Sequence, residues 1–97
     1  MAEVEERISR IKNHKGVKGL LITDENGKVH RTTMPLMDEK GKPVATLVAS
    51  IVSQLTVKAR SCVRDLDPLN DMTFFRVRAR KQEIMVAPDK NLFLIVI

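Results

Sequence analysis

The stretch FFRVRARKQEIMV, Phe74 to Val86, decides how this chain folds. From Arg76 to Lys81 it carries four basic side chains in six residues, and then it turns apolar. Such a run is either a phosphate-gripping patch or one face of a β-strand. Side chains alternate along a strand, so Phe75, Val77 and Ala79 share one face and Phe74, Arg76, Arg78 and Arg80 the other. The arginines have the spacing of the pleat, which predicts a solvated strand face. Charge along the rest of the chain agrees. The net +5 spreads as +2 over residues 1–33, +2 over 34–65 and +1 over 66–97, whereas a nucleic-acid binder concentrates its positive charge on one arm or face.

Downstream, Arg80-Lys81-Gln82 and Pro88-Asp89-Lys90 are short turns, so Met72–Ala79, Glu83–Ala87 and Asn91–Ile97 read as three successive strands. Short links favour antiparallel pairing, because parallel neighbours need a long crossover. In the last strand Leu92, Leu94 and Val96 point one way and Phe93, Ile95 and Ile97 the other. A strand apolar on both faces is predicted to lie centrally and to be covered on both sides.

Upstream, Asp65 to Asp71 breaks a long helix that begins at about Pro43 and runs to about Leu66. Its apolar positions are Val44, Leu47, Val48, Ile51, Val52, Leu55, Ala59, Cys62, Val63 and Leu66. At 100° per residue they cover roughly half the circumference, wider than the ~100° stripe that core contact requires. Either the helix is unusually buried, or part of this face meets a second molecule. Before it, Met34–Lys42 is a loop. Val17–Thr23 and Lys28–Thr33 form a hairpin around Asp24-Glu25-Asn26-Gly27, for which Asn-Gly predicts a type I′ turn. The returning strand is thinly apolar, as an edge strand would be. Residues 2–14 read as a first helix with Val4, Ile8 and Ile11 on one face and Gly16 as its C-terminal stop. The expected class is α/β (α+β), a single domain over 1–97 in the order α-β-β-α-β-β-β. It would form a five-stranded antiparallel sheet with one helix on each face.

Composition bounds the chemistry. Apolar residues make up 43%, with three Phe and neither Trp nor Tyr. The core is therefore aliphatic, and the chain has little with which to stack bases. The single cysteine excludes an internal disulfide and suits a reducing cytosol. With no leader-like start and no segment of membrane-spanning length, a soluble cytoplasmic protein is expected. His14 and His30 have no partner at ligand spacing, and no metal or cofactor is expected. Cys62, between Ala59 and Val63 on the apolar stripe, is predicted to be a buried, slow-reacting thiol. Gly41-Lys42 fails as a phosphate loop, because Leu36 and Pro43 stand where Gly and Ser or Thr are needed. Asp65, Asp67 and Asp71 lack calcium-loop spacing and read as capping and turn residues. No acid–base or nucleophile–base pair stands out, so no catalysis is expected.

KARSCVR (58–64), continuing through DLDPLNDMTFFRVRARKQEIMVAPDKNLFLIVI, closely resembles the Roadblock family of dynein light chains. The opening MAEVEERISRIKNHKGVKG is similar too, so the resemblance covers almost the whole chain, and EIMVAPDK followed by FLIVI is specific. It implies a Roadblock/profilin-like fold and a homodimer whose long helices pack together. The third strands would pair across the two-fold axis into one continuous ten-stranded sheet. The matching dimer-interface positions are Leu47, Ile51, Leu55, Thr73, Phe74 and Arg76. The implied role is non-catalytic: binding an extended segment of a dynein intermediate chain and linking motor to cargo adaptors on microtubules, in the cytoplasm and cytoskeleton. Residues 34–44 are longer than in cytoplasmic members, and LVASIVSQLT diverges from them. An axonemal, ciliary dynein is therefore among the expected partners. Relatives carry a short polar tail after the position of Ile97. Two other functions compete: a Roadblock-type scaffold regulating a small GTPase, and a small basic nucleic-acid-binding protein resting on the +5 charge. Neither nucleic acid nor membrane is expected as a partner.

Overall fold

A computed structural model of the chain describes Glu6, residues 18–35 and residues 37–97. Five strands, β1 (Leu20–Asp24), β2 (Val29–Thr32), β3 (Phe75–Arg78), β4 (Glu83–Asp89) and β5 (Leu92–Val96), form one sheet. The helix α1 (Val44–Leu66) lies between β2 and β3 in the chain. Strand order is β2-β1-β5-β4-β3, with every neighbouring pair antiparallel. The last strand is therefore central, as its two-sided apolar pattern predicts. Phe93 and Ile95 are fully buried on the face toward α1, and Val96 is buried on the other. The first helix expected over 2–14 lies outside the described residues except for Glu6, which is helical.

Strand limits differ from the expected ones for local reasons. β3 starts at Phe75 instead of Met72, because side chains hold the preceding backbone in turns. Asp67 Oδ1 accepts the Leu69 N–H, Asn70 Oδ1 the Asp71 N–H, and Asp71 Oδ1 the Met72 N–H. These contacts give Asp67 and Asp71 the turn role expected of them. β4 runs two residues further than expected, through Pro88. Its pairing to β3 ends at Phe75–Val86, so the missing N–H of Pro88 takes nothing from that ladder.

The β1–β2 turn corrects the type I′ reading. Gly27 has φ 86°, but Asn26 is not in the left-handed region. The Gly27 N–H donates to Asp24 O, and Asp24 Oδ1 accepts the N–H groups of Asn26 and Lys28. This is an Asx-supported turn ending in a left-handed glycine, and the register shifts by one residue after Ile22. Asp38-Glu39-Lys40-Gly41-Lys42 repeats the arrangement bond for bond. Gly41 N–H donates to Asp38 O, and Asp38 Oδ1 accepts from Lys40 and Lys42.

The helix seats on the sheet through an arc the hydropathy pattern did not mark. Its buried residues are Ala45, Ala49, Val52, Ser53 and Thr56. Of these, only Val52 belongs to the apolar stripe read from the sequence. Small side chains at four-residue steps let the backbones approach. A Cβ on Gly27 would stand 3.0 Å from Ser53 Oγ and 3.2 Å from Ser50 Cα. The buried hydroxyls are satisfied within the helix, Ser53 Oγ donating to Ser50 O and Thr56 Oγ1 to Val52 O.

Candidate protein-interaction surface

Once the small-residue arc is placed on β1, β2 and β5, helical geometry fixes where the large apolar residues go. At 100° per residue, Leu47, Ile51, Leu55 and Cys62 centre about 140° from the middle of the buried arc, with Leu47 nearly opposite it. They sit on the flank away from the β1–β2 hairpin. Ile51 is 57% exposed, Leu55 44% and Leu47 38%. Cys62 is exposed too, which corrects the expectation of a buried thiol: the stripe that carries it is turned away from the sheet. Val48, between the two arcs, packs on the core, as do Phe75 of β3 and Ile84 of β4 from the sheet.

The sheet contributes an edge. β3 pairs with β4 on one side and with no described strand on the other. Thr73 and Phe74 lead into it and are exposed, Phe74 at 51%. On the face shared with α1, Val77 is exposed as well. The structure thus gathers Leu47, Ile51 and Leu55 on one helix arc and Thr73, Phe74 and Arg76 at one sheet edge. The opposite edge, β2, is polar and kinked by its register shift, with His30 Nε2 3.1 Å from Asp24 Oδ2. Bulges and charges of this kind discourage strand pairing.

The arginines of β3 lie where the pleat put them. Arg76 is opposite Met85 and Arg78 opposite Glu83, on the face away from α1. The Glu83 carboxylate is in ion-pair contact with both guanidiniums, Oε1 with Arg76 Nε and Oε2 with Arg78 Nη2 at 3.5 Å. Arg76 Nη2 also lies 3.4 Å from Met85 Sδ.

A second polar feature, not anticipated from sequence, ties the end of α1 to the β4–β5 turn and to the loop before β3. Arg60 Nη1 donates to Lys90 O at 2.7 Å, and its Nη2 reaches Asp71 Oδ2 at 3.3 Å. Arg64 Nη2 stands 3.6 Å from the same oxygen. The Arg60 hydrogen bond and charge, followed by the Met72 N–H and the Arg64 charge, hold the Asp71 carboxyl below its ordinary range. Lys90 is the one described non-glycine residue with positive φ, at 57° in the β4–β5 turn, and Arg60 pins its carbonyl. The arginine stands near the helix end, thirty residues from its acceptor, a separation that no local pattern reveals. Beside this clamp an open cleft of about 570 Å³ mixes Glu25 and Asp65 with Arg64 and Lys90. Among the described residues no group of His, Cys, Asp and Glu is placed to hold a metal ion, and no helix is long and apolar enough to cross a membrane.

Comparison with known proteins bears on the fold that carries these exposed residues. The Roadblock/LC7 domain from Streptomyces avermitilis superposes with a TM-score of 0.74 at 16% identity, covering 91% of this chain and 70% of that one. Gliding protein MglB from Thermus thermophilus gives 0.74 at 17% identity, covering 98% and 70%. MglB in a tetrameric arrangement gives 0.75 at 17%, covering 98% and 69%. The family model for the Roadblock/LC7 domain matches residues 3–97, and with the central C-terminal strand and the single described crossover helix in place, the chain belongs to the Roadblock/LC7 family.

Proposed function

We propose that this chain is a non-catalytic Roadblock-type module that self-associates and holds a protein partner on the assembled surface. The observation that carries the proposal is the exposed arc of Leu47, Ile51 and Leu55 together with the open β3 edge. A two-fold axis at this place buries one self-complementary patch in both copies. Joining two β3 edges also satisfies backbone groups otherwise left to water. Leu47, Ile51, Leu55, Thr73, Phe74 and Arg76 are the proposed interface, and the tetrameric MglB arrangement supports association as a habit of the fold.

Two partners fit such a module. Regulation of a small GTPase is the reading supported by the fold likeness to the bacterial MglB proteins. Binding an extended dynein intermediate-chain segment, in cytoplasmic or ciliary microtubule transport, is supported by the KARSCVR and EIMVAPDK runs. Affinity capture on wild-type protein and on an Ile51→Asp variant, read by mass spectrometry, separates them. Recovery of a GTPase or of an intermediate chain by the wild type alone selects between the two. Equal recovery of the same partner by the Ile51→Asp variant would overturn the assembled surface as the binding site.

A further inference from the structure

Within one chain the β3 arginines meet Glu83 and Met85. We propose that self-association turns them into a composite anion site on the sheet face away from α1, and that its ligand is a carboxylate-rich segment of a partner protein. The proposal rests on the self-associating reading above.

The geometry follows from the pleat. A two-fold axis perpendicular to the sheet returns each face to itself, so residues opposite one another across paired β3 strands must share a face. If the axis passes at Arg76, that residue meets its own copy. If it passes at Val77, Arg76 meets Arg78 of the second copy. Every such register therefore collects two arginines from each strand, four in all, on one face at the centre of the joined sheet. Opposite positions on neighbouring strands are about 4.5–5.5 Å apart. Among the described residues, only the two copies of Glu83 lie within ion-pair reach to offset them, and Arg80 and Lys81 add further positive charge at the adjoining turn.

Like charges directly opposite one another oppose strand pairing, so the assembled state favours an added anion. The chain itself shows which anion fits: one carboxylate, that of Glu83, is already gripped between Arg76 and Arg78. Both guanidiniums remain half exposed or more, so each retains donors to offer. Nucleic acid is the weaker candidate, because Phe74 is the one aromatic residue of this strand face and a stacking platform needs more. Coupling is reciprocal: a ligand held by both copies must also tighten their association.

The test is fluorescence anisotropy with a labelled glutamate decamer, with sedimentation velocity on the same samples. Heparin and phosphatidylserine vesicles serve as alternative ligands. The expected result is saturable binding of the decamer that weakens with salt and tightens self-association. The Arg76→Gln/Arg78→Gln variant should bind about tenfold more weakly, since several exposed pairs of ~0.2–1 kcal/mol are lost together. Glu83→Gln, which frees both arginines, should bind more tightly, so the proposal stays testable if the double variant misfolds. A wild-type dimer that ignores the decamer, or that prefers heparin or vesicles to it, overturns the anion site and leaves self-association standing. A wild-type monomer across the concentration range overturns self-association itself.

Discussion

Ile51→Ala separates the two roles of the long helix within one side chain. Burying an isoleucine completely is worth about 1.5–3 kcal/mol. With 57% of its surface still exposed, Ile51 leaves about 1–1.5 kcal/mol of that unclaimed in the isolated chain. A symmetric interface counts the residue twice, so truncation should weaken association by about 2–3 kcal/mol. That is a rise in dimer dissociation constant of about thirty- to a hundred-fold at 1.4 kcal/mol per decade. The folded monomer should hardly notice, because alanine's better helix propensity offsets part of the lost partial burial. Ala49→Leu tests the other arc: Ala49 is fully buried against the hairpin side, and overpacking there should cost about 1–3 kcal/mol of folding stability. Sedimentation equilibrium over a concentration series reads the first effect, and urea denaturation well below the dissociation constant reads the second. An Ile51→Ala protein with wild-type association, or one that loses more than about 2 kcal/mol of monomer stability, would refute the assignment of the two arcs.

Gly27→Ala should destabilise the fold by about 1–3 kcal/mol, since φ 86° strains any side chain and the new Cβ meets Ser50 Cα at 3.2 Å. Gly41→Ala should cost less by urea denaturation, because nothing lies within 4 Å of its Cβ position. Hydrogen bonding from the Lys28 N–H, helped by His30 and the Asn26 N–H, holds the Asp24 carboxyl below its ordinary 3.8. The carboxylate's contribution is therefore full above that value and is lost as pH falls through the lower folded value. Wild type and Asp24→Asn should converge in stability below pH 3.8; a gap that widens with acidification would contradict the cause assigned. Cys62 in the monomeric Ile51→Asp variant should react with a thiol reagent at close to the unfolded rate, and more slowly in the assembled wild type. Equal rates in the two would place Cys62 outside the contact.

How far the sequence could be read depended on how loudly each contact speaks in hydropathy. LFLIVI announces a strand covered on both faces because no polar residue interrupts it, and β5 is central. The long helix was legible from Pro43 to Leu66 because its apolar period is 3.6 residues. Which apolar arc meets the sheet was not legible. A tight seat is made of Ala45, Ala49 and Ser53, whose transfer free energies are small, while the loud residues Leu47, Ile51 and Leu55 face outward. The same reasoning misplaced Cys62, which follows the loud arc. In the first hairpin, Asn-Gly suggested a turn with two left-handed residues. Asp24 prevailed by accepting two backbone N–H groups, a side-chain effect that dipeptide statistics do not contain. The candidate interface was legible as a stripe too wide for one sheet. The clamp of Arg60 on Lys90 and Asp71 was not, because its partners meet only through the tertiary fold.

The central place of β5 also governs the order in which this sheet can be made. The β1–β2 and β4–β5 hairpins close short loops and can form within microseconds. The β1–β5 ladder instead joins Leu20 to Val96 across nearly the whole chain, so it must overcome most of the loop-closure entropy before any contact rewards it. Until the β4–β5 hairpin docks on the first one, β1 and β5 both present open, apolar edges, aggregation-prone surfaces that the finished sheet hides. During synthesis the N-terminal hairpin waits for the last strand, and the sheet closes in one late step. A lesion in β5 should therefore appear first as insoluble protein in the cell, even where the surviving folded fraction associates normally.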